Sequence, residues 1–254
     1  KPNFVIHLGD LIDHDFESYA TIRKAFDRIE APKYFVLGNH DFAVDDIHKA
    51  EVPKLLGMPG RYYDFVRDDC PGWRFVVLDG NDISTFGALN EEDKKHAEKC
   101  FKQYEQDPSR PKKPSPWAGA VGRSQLKWLG EVLDRADACG ERVIVFQHYN
   151  VRPRDEAELW NSDELVALLS QHPSVVAHFN GHFHPGMYAE EDGIHYLTFN
   201  GTVDSENEEA FGVVRIYTDR IEVEGHGRQP DFTLKLKPKQ DAPQFSRPSR
   251  SASS

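Results

Sequence analysis

Cysteine is scarce in this sequence: Cys70, Cys100 and Cys139 are the three in 254 residues, widely spaced and in no C-x-x-C pair. That excludes a disulfide framework and a thiolate zinc finger, and it points to a reducing compartment, so a cytoplasmic protein is expected. Long apolar runs are also missing. Segments such as Val143-Ile144-Val145-Phe146 fall far short of the ~18 to 20 residues a membrane helix needs. Positive charge is outweighed, with Lys+Arg 31 against Asp+Glu 42 and a formal net charge of -11. Such a surplus repels polyanions and anionic lipid, and no basic patch offsets it, so neither nucleic acid nor a membrane is an expected partner. What is present, 39% hydrophobic and 11% aromatic residues, suffices for a large core and excludes whole-chain disorder. Small ligands, held through bound cations, fit this balance.

Short apolar runs alternate with helical spacing through roughly the first 185 residues, the texture of an α/β protein. Phe4 to Leu8 reads as a buried strand ending in Gly9-Asp10. A helix follows with Phe16, Tyr19, Ile22, Phe26 and Ile29 on one face and Asp15 as its cap. Tyr34 to Leu37 reads as the next strand, ending in Gly38-Asn39-His40-Asp41, and Tyr62 to Val66 and Arg74 to Leu78 read as two more. The charged, Pro-rich stretch from Asn81 to about Gly122 reads as an inserted helix and long loop outside the core. Gln125 to Ala138 returns to helical spacing with Gly140 as its stop, and Val143 to Phe146 runs as a strand into His148. After a short helix at Asp163 to Gln171, a strand at Val175 to Phe179 leads to Gly181-His182-Phe183-His184. Antiparallel strands are expected at Ile194 to Phe199, Phe211 to Tyr217 and Ile221 to Glu224, and disorder from Lys237 onward. This predicts one domain over 1–236 with an insert at about 81–122, followed by a tail at 237–254.

Four strand ends deliver Asp10, Asn39 with His40, His148, and His182 with His184. In open α/β sheets, ligand sites form outside the carboxyl ends of strands, so these tips are expected to converge. Each has a bland reading alone: a Gly-Asp after a strand is usually a turn, and a lone His is usually a hydrogen-bonded one. Together, carboxylate, amide and imidazole donors suit Mn, Fe or Zn better than Ca or Mg, and a carboxylate such as Asp10 can bridge two ions. Two divalent ions about 3.5 to 4 Å apart clamp a phosphoryl group and supply hydroxide. The remaining histidines, and Trp117, Trp128 and Trp160, are assigned to packing.

Gly9-Asp10, Gly38-Asn39-His40-Asp41, His148 and Gly181-His182-Phe183-His184, in this order, resemble the signature of the calcineurin-like metallophosphoesterase superfamily. Within it, Gly193 to Thr198, Ala210 to Val214 and Gly225 to Arg228 resemble the manganese-dependent ADP-ribose/CDP-alcohol diphosphatases. The resemblance implies an α/β sandwich of two mixed β-sheets flanked by helices. It implies two divalent metal ions, manganese first among them, and a small nucleotide-type phosphoester substrate attacked by a metal-bridging hydroxide. Asp10 would bridge both metals, Asn39, His148 and His182 would complete one site, and His184 would serve the other. His40 would stabilise or protonate the departing oxygen, and Asp41 would orient His40. One departure is an Asp-x-His motif that superfamily members carry ahead of the Gly-Asp and that the nine residues before Asp10 lack. A strand and first-metal ligands upstream of Lys1 are therefore expected. A cyclic-nucleotide or glycerophosphodiester phosphodiesterase, or a non-catalytic metal-binding module, stay open as alternatives.

Overall fold

The structure, a computed structural model, describes residues 1–108 and 113–238. Its elements in chain order are β1 (Val5–His7), α1 (Ser18–Asp27), β2 (Lys33–Phe35), the short helices α2 (Asp46–Lys49) and α3 (Val52–Leu55), β3 (Tyr63–Val66), β4 (Trp73–Val77), α4 (Glu91–Glu105) and α5 (Arg123–Cys139). Then come β5 (Arg142–Phe146), α6 (Ser162–Ser170), β6 (Val175–Asn180), β7 (Met187–Glu191), β8 (Ile194–Thr198), β9 (Ala210–Ile216), β10 (Arg220–Gly227) and β11 (Phe232–Lys235). The sequence reading omits α2 and α3, since four-residue helices are too short to show a period. It also omits β7 and β11, whose exposed edges weaken the apolar alternation. For β7 a signal was present: Asp192-Gly193 has positive φ at both residues, 56° and 83°, as a two-residue hairpin turn into β8 requires.

Six strands form one mixed sheet in the order β3-β4-β5-β6-β8-β7, parallel in its centre with an antiparallel strand at each edge. Both faces are covered, which is why β5 is an unbroken apolar run. Val143 and Val145 face α5 and α6, packing with Leu129, Leu133, Leu165 and Leu169. Ile144 and Phe146 face the other way, toward Ile221, Val223 and Leu234 of the β9–β11 layer and Val36 after β2. Each such side chain contributes about 1.5–3 kcal/mol on full burial. The expected sandwich is thus present, with its second layer in two pieces: the parallel pair β1-β2 and the antiparallel trio β11-β10-β9.

α5 ends as its sequence predicts, with Gly140 left-handed at φ 64°. The insert departs from expectation. A bridge between Ile83 and Ala120 closes its base, and Ala118, Ala120 and Val121 lie in the main core, so the end of the insert is core. Gly119 there lets the chain pass close to the Gly80 and Ile83 carbonyls of the loop after β4. Residues 109–112 of its loop lie outside the described residues, as do 239–254 of the expected disordered tail. The tail's first residue, Lys237, is anchored: its ammonium donates to the Asp192 carbonyl at 3.0 Å, and its carbonyl accepts from Arg142 at 2.9 Å. Among the described residues no helix is long and apolar enough to cross a membrane.

Candidate active site

β1 and β2 run parallel and end side by side, so Gly9-Asp10 and Gly38-Asn39 meet. Asp10 holds a left-handed backbone at φ 57°, after Gly9 at 99°. That bend is held from below by Asp41, whose fully buried carboxylate accepts from the Asp10 and Gly38 amides at 2.8 and 2.9 Å. It also accepts from the Leu11 amide at 3.0 Å and the Tyr19 hydroxyl at 2.9 Å. Burial and the neighbouring Asp10 charge push the Asp41 carboxyl up to about 6, against the pull of these donors. Asp10 in turn accepts from the His40 amide at 2.9 Å through Oδ1, leaving Oδ2 to face inward.

Three donor atoms meet there. His148 Nε2 lies 3.1 Å from Asp10 Oδ2 and 3.1 Å from His182 Nδ1, and the ligand atoms of the three residues all fall within 4.8 Å of one another. His148 Nδ1 donates to the Leu8 carbonyl at 2.7 Å, which fixes the ring and turns Nε2 into the cluster. A neutral His148 therefore aims a lone pair at a carboxylate and at a second imidazole, and the group demands one positive charge. A proton or a metal ion can supply it. Burial opposes charging His148, but Asp10 outweighs it and raises the imidazole. Burial would raise Asp10, yet His148 and His40 hold it well below the usual carboxylate range. Burial and the neighbouring His148 push the His182 imidazole down to about 3, so it stays neutral, with a lone pair to offer.

 Among the described residues, the third left-handed non-glycine position beside Asp10 and Asp192 is His182 itself, at φ 65°. Two of these three strained positions thus carry cluster side chains, and such strain tends to gather at ligand-binding sites.

Asn39 adds a fourth donor and a third type: its Oδ1 is buried and has no hydrogen-bond partner. A lone buried carbonyl oxygen beside a carboxylate and two imidazoles fits a divalent cation, whose bond would meet the desolvation cost of about 1–3 kcal/mol. His184 stands outside the tight group, with Nδ1 at 2.8 Å from Asp204. Half-exposed His40 also stands apart, its Nδ1 donating to the Asp13 carboxylate at 2.8 Å and the Asp13 carbonyl at 3.0 Å. This corrects the expectation that Asp41 orients His40. The Asp41 oxygens are taken up by the loop amides and Tyr19, and Asp13, three residues after Asp10, holds the imidazole instead.

Sequence reasoning also missed Tyr149. Its ring meets His182 edge-on at 4.7 Å, and its hydroxyl donates to Asn81 Oδ1 at 2.7 Å. Asn81 Nδ2 donates to the Leu37 carbonyl at 3.2 Å, tying the insert to the loop that bears Asn39. The position of Tyr149 directly after His148 was the available signal. The packing assignments hold for the buried His178 and for His195, whose ring nitrogens meet the Tyr188 hydroxyl and the Lys235 carbonyl.

Gly38 admits no side chain: a β-carbon there would lie 2.1 Å from Asp10 Oδ1 and 2.6 Å from the Asp10 amide nitrogen. Gly38→Ala is expected to displace Asp10 and weaken manganese binding by about 10- to 100-fold, the scale seen when a ligand loses its support. Calorimetric titration with manganese checks this, and unchanged affinity would detach Asp10 from the metal.

A family model described as calcineurin-like phosphoesterase matches residues 1–186. A manganese-dependent ADP-ribose/CDP-alcohol diphosphatase of Oryza sativa subsp. japonica is 30% identical over 262 residues, covering 92% of this chain and 80% of the relative. The protein of that name from Homo sapiens is 28% identical over 277 residues, covering 93% and 79%. In structure, a dimetal phosphatase from Danio rerio superposes with a TM-score of 0.82 at 26% identity, covering 92% of this chain and 84% of that one.

Proposed function

The chain belongs to the calcineurin-like phosphoesterase family, and from that premise we propose that it hydrolyses the phosphoanhydride bond of small nucleotide derivatives, ADP-ribose and CDP-alcohols, with manganese. The observation that carries this reading is the convergence of Asp10, His148 and His182 on one point, beside the partnerless Asn39 oxygen.

In this reading Asp10, Asn39, His148 and His182 would hold one divalent ion, and Asp10 and His184 would contribute to a second. Bound ions of this kind neutralise phosphoryl oxygens and make hydroxide available near neutral pH. The chain's residues do the rest. Asp41 fixes the Gly9-Asp10 bend, and the Leu8 carbonyl fixes His148 so that only Nε2 faces the site. The Asp13 bond holds a proton on His40 Nδ1, so that in the imidazolium form Nε2 is the atom that gives its proton to the leaving oxygen, leaving a neutral ring. A negative net charge does not oppose an anionic substrate, because bound divalent ions set the local field.

Incubation of the manganese-loaded protein with ADP-ribose is expected to release AMP and ribose 5-phosphate, and chelation is expected to stop it. A metal-loaded protein inert toward ADP-ribose and CDP-choline would overturn the substrate class. His40→Ala is expected to lower kcat about 10²-fold with manganese content unchanged. Elemental analysis beside the kinetics checks this, and a parallel loss of metal would make His40 a ligand rather than an acid.

A further inference from the structure

Trp117 departs from its packing assignment. It is 56% exposed, whereas Trp160 is 1% exposed. With Ser115, Pro116, Glu156, Ala157 and Phe183 it lines a cleft of about 290 Å³. This is close to the lower end of the roughly 300–1,000 Å³ typical of small-molecule sites, so it suits part of a nucleotide. Phe183 lies between His182 and His184, which puts the cleft beside the candidate metal loop. The Trp117 side is tied to the same place, because the Tyr149 hydroxyl, its proton shared with Asn81, lies 3.2 Å from the Trp117 carbonyl while its ring meets His182.

We propose that this cleft seats the substrate's base and that the Glu156 carboxylate selects bases bearing an exocyclic amino group. The inference rests on the nucleotide-hydrolase reading and deepens it. Trp117 and Phe183 offer aromatic surface to a planar base, a contact that every base accepts. Selection must then come from polar groups. The Glu156 carboxylate is exposed, makes no hydrogen bond or ion pair among the described residues, and has its backbone pinned by the Ser115 amide, which donates to the Glu156 carbonyl at 2.8 Å. An ionised carboxylate only accepts, so it welcomes the amino group of adenine or cytosine and repels the carbonyl that hypoxanthine or uracil has in its place.

Binding of AMP and IMP to the manganese-loaded protein, followed by tryptophan fluorescence, tests this without requiring turnover. AMP is expected to bind about tenfold more tightly than IMP, the scale of one charge-assisted hydrogen bond near solvent. In Glu156→Gln the ratio is expected to fall toward one, because an amide can also donate to the hypoxanthine carbonyl. Trp117→Ala is expected to weaken both nucleotides by about tenfold through lost stacking. Equal affinities for AMP and IMP in the unaltered protein, or a ratio untouched by Glu156→Gln, would overturn the proposal. Hydrolysis of bis(4-nitrophenyl) phosphate, which has no base, separately reports the hydrolase reading. Its failure with AMP selectivity intact would count against that reading and not against the cleft.

Discussion

Asp10→Asn is expected to lower manganese-dependent hydrolysis of ADP-ribose on the order of 10⁴-fold, the largest catalytic loss of any single change considered. Both oxygens of Asp10 are committed, Oδ1 to the His40 amide and Oδ2 to the inner cluster. Asparagine can keep the first contact, so the loop conformation should survive. The second contact changes sign: the amide brings either a neutral oxygen or an NH₂ group toward His148 Nε2 and His182 Nδ1. Without the carboxylate, the force that raises His148 disappears, and the cluster holds a cation far less well. Steady-state kinetics with manganese content measured in parallel provide the check. Turnover within tenfold of the unaltered protein would remove Asp10 from the site.

The second large effect is on stability. Asp41→Ala strips the acceptor from four donors, the Asp10, Leu11 and Gly38 amides and the Tyr19 hydroxyl. Each buried orphan donor costs about 1–3 kcal/mol, while removal of an unfavourably buried charge returns about 3 kcal/mol at neutral pH. A net loss of about 3 kcal/mol is expected by urea denaturation without metal, together with loss of activity as the Asp10 bend relaxes. The pH dependence has a definite sign. With its folded pKa raised to about 6, Asp41 contributes stability that is full below its unfolded value and is lost as pH rises through about 6. The variant should therefore be more destabilised, relative to the unaltered protein, at pH 5 than at pH 8. A gap that widens with pH would contradict the buried, raised carboxyl.

Much of this site was legible because its residues sit at strand ends with short, polar sequences that no core element would use. Gly9-Asp10, Gly38-Asn39-His40-Asp41, His148 and Gly181-His182 each interrupt an apolar run, and strand ends of one layered fold have to emerge near one another. The division of labour was less legible. Asp41 is the chain neighbour of His40 and Asp13 lies 27 positions away, yet past the left-handed turn at Asp10 it is Asp13 that reaches the ring. The insert is less legible because its charged, Pro-rich length ends in a few small apolar residues, Ala118, Ala120 and Val121, that the core takes up.

By itself, the sequence determined that the chain is an α/β protein, which strand tips offer metal-ligating donors, and which kind of ion those donors suit. These follow from local rules: side-chain period, turn residues and the donor atoms a metal prefers. Only the tertiary structure decided that His148 presents Nε2, that Asp41 supports and Asp13 orients, and that Trp117 faces a cleft beside His182. Each of those depends on contacts between residues tens of positions apart, and such contacts are set by how the sheets and the insert pack, which no local pattern encodes.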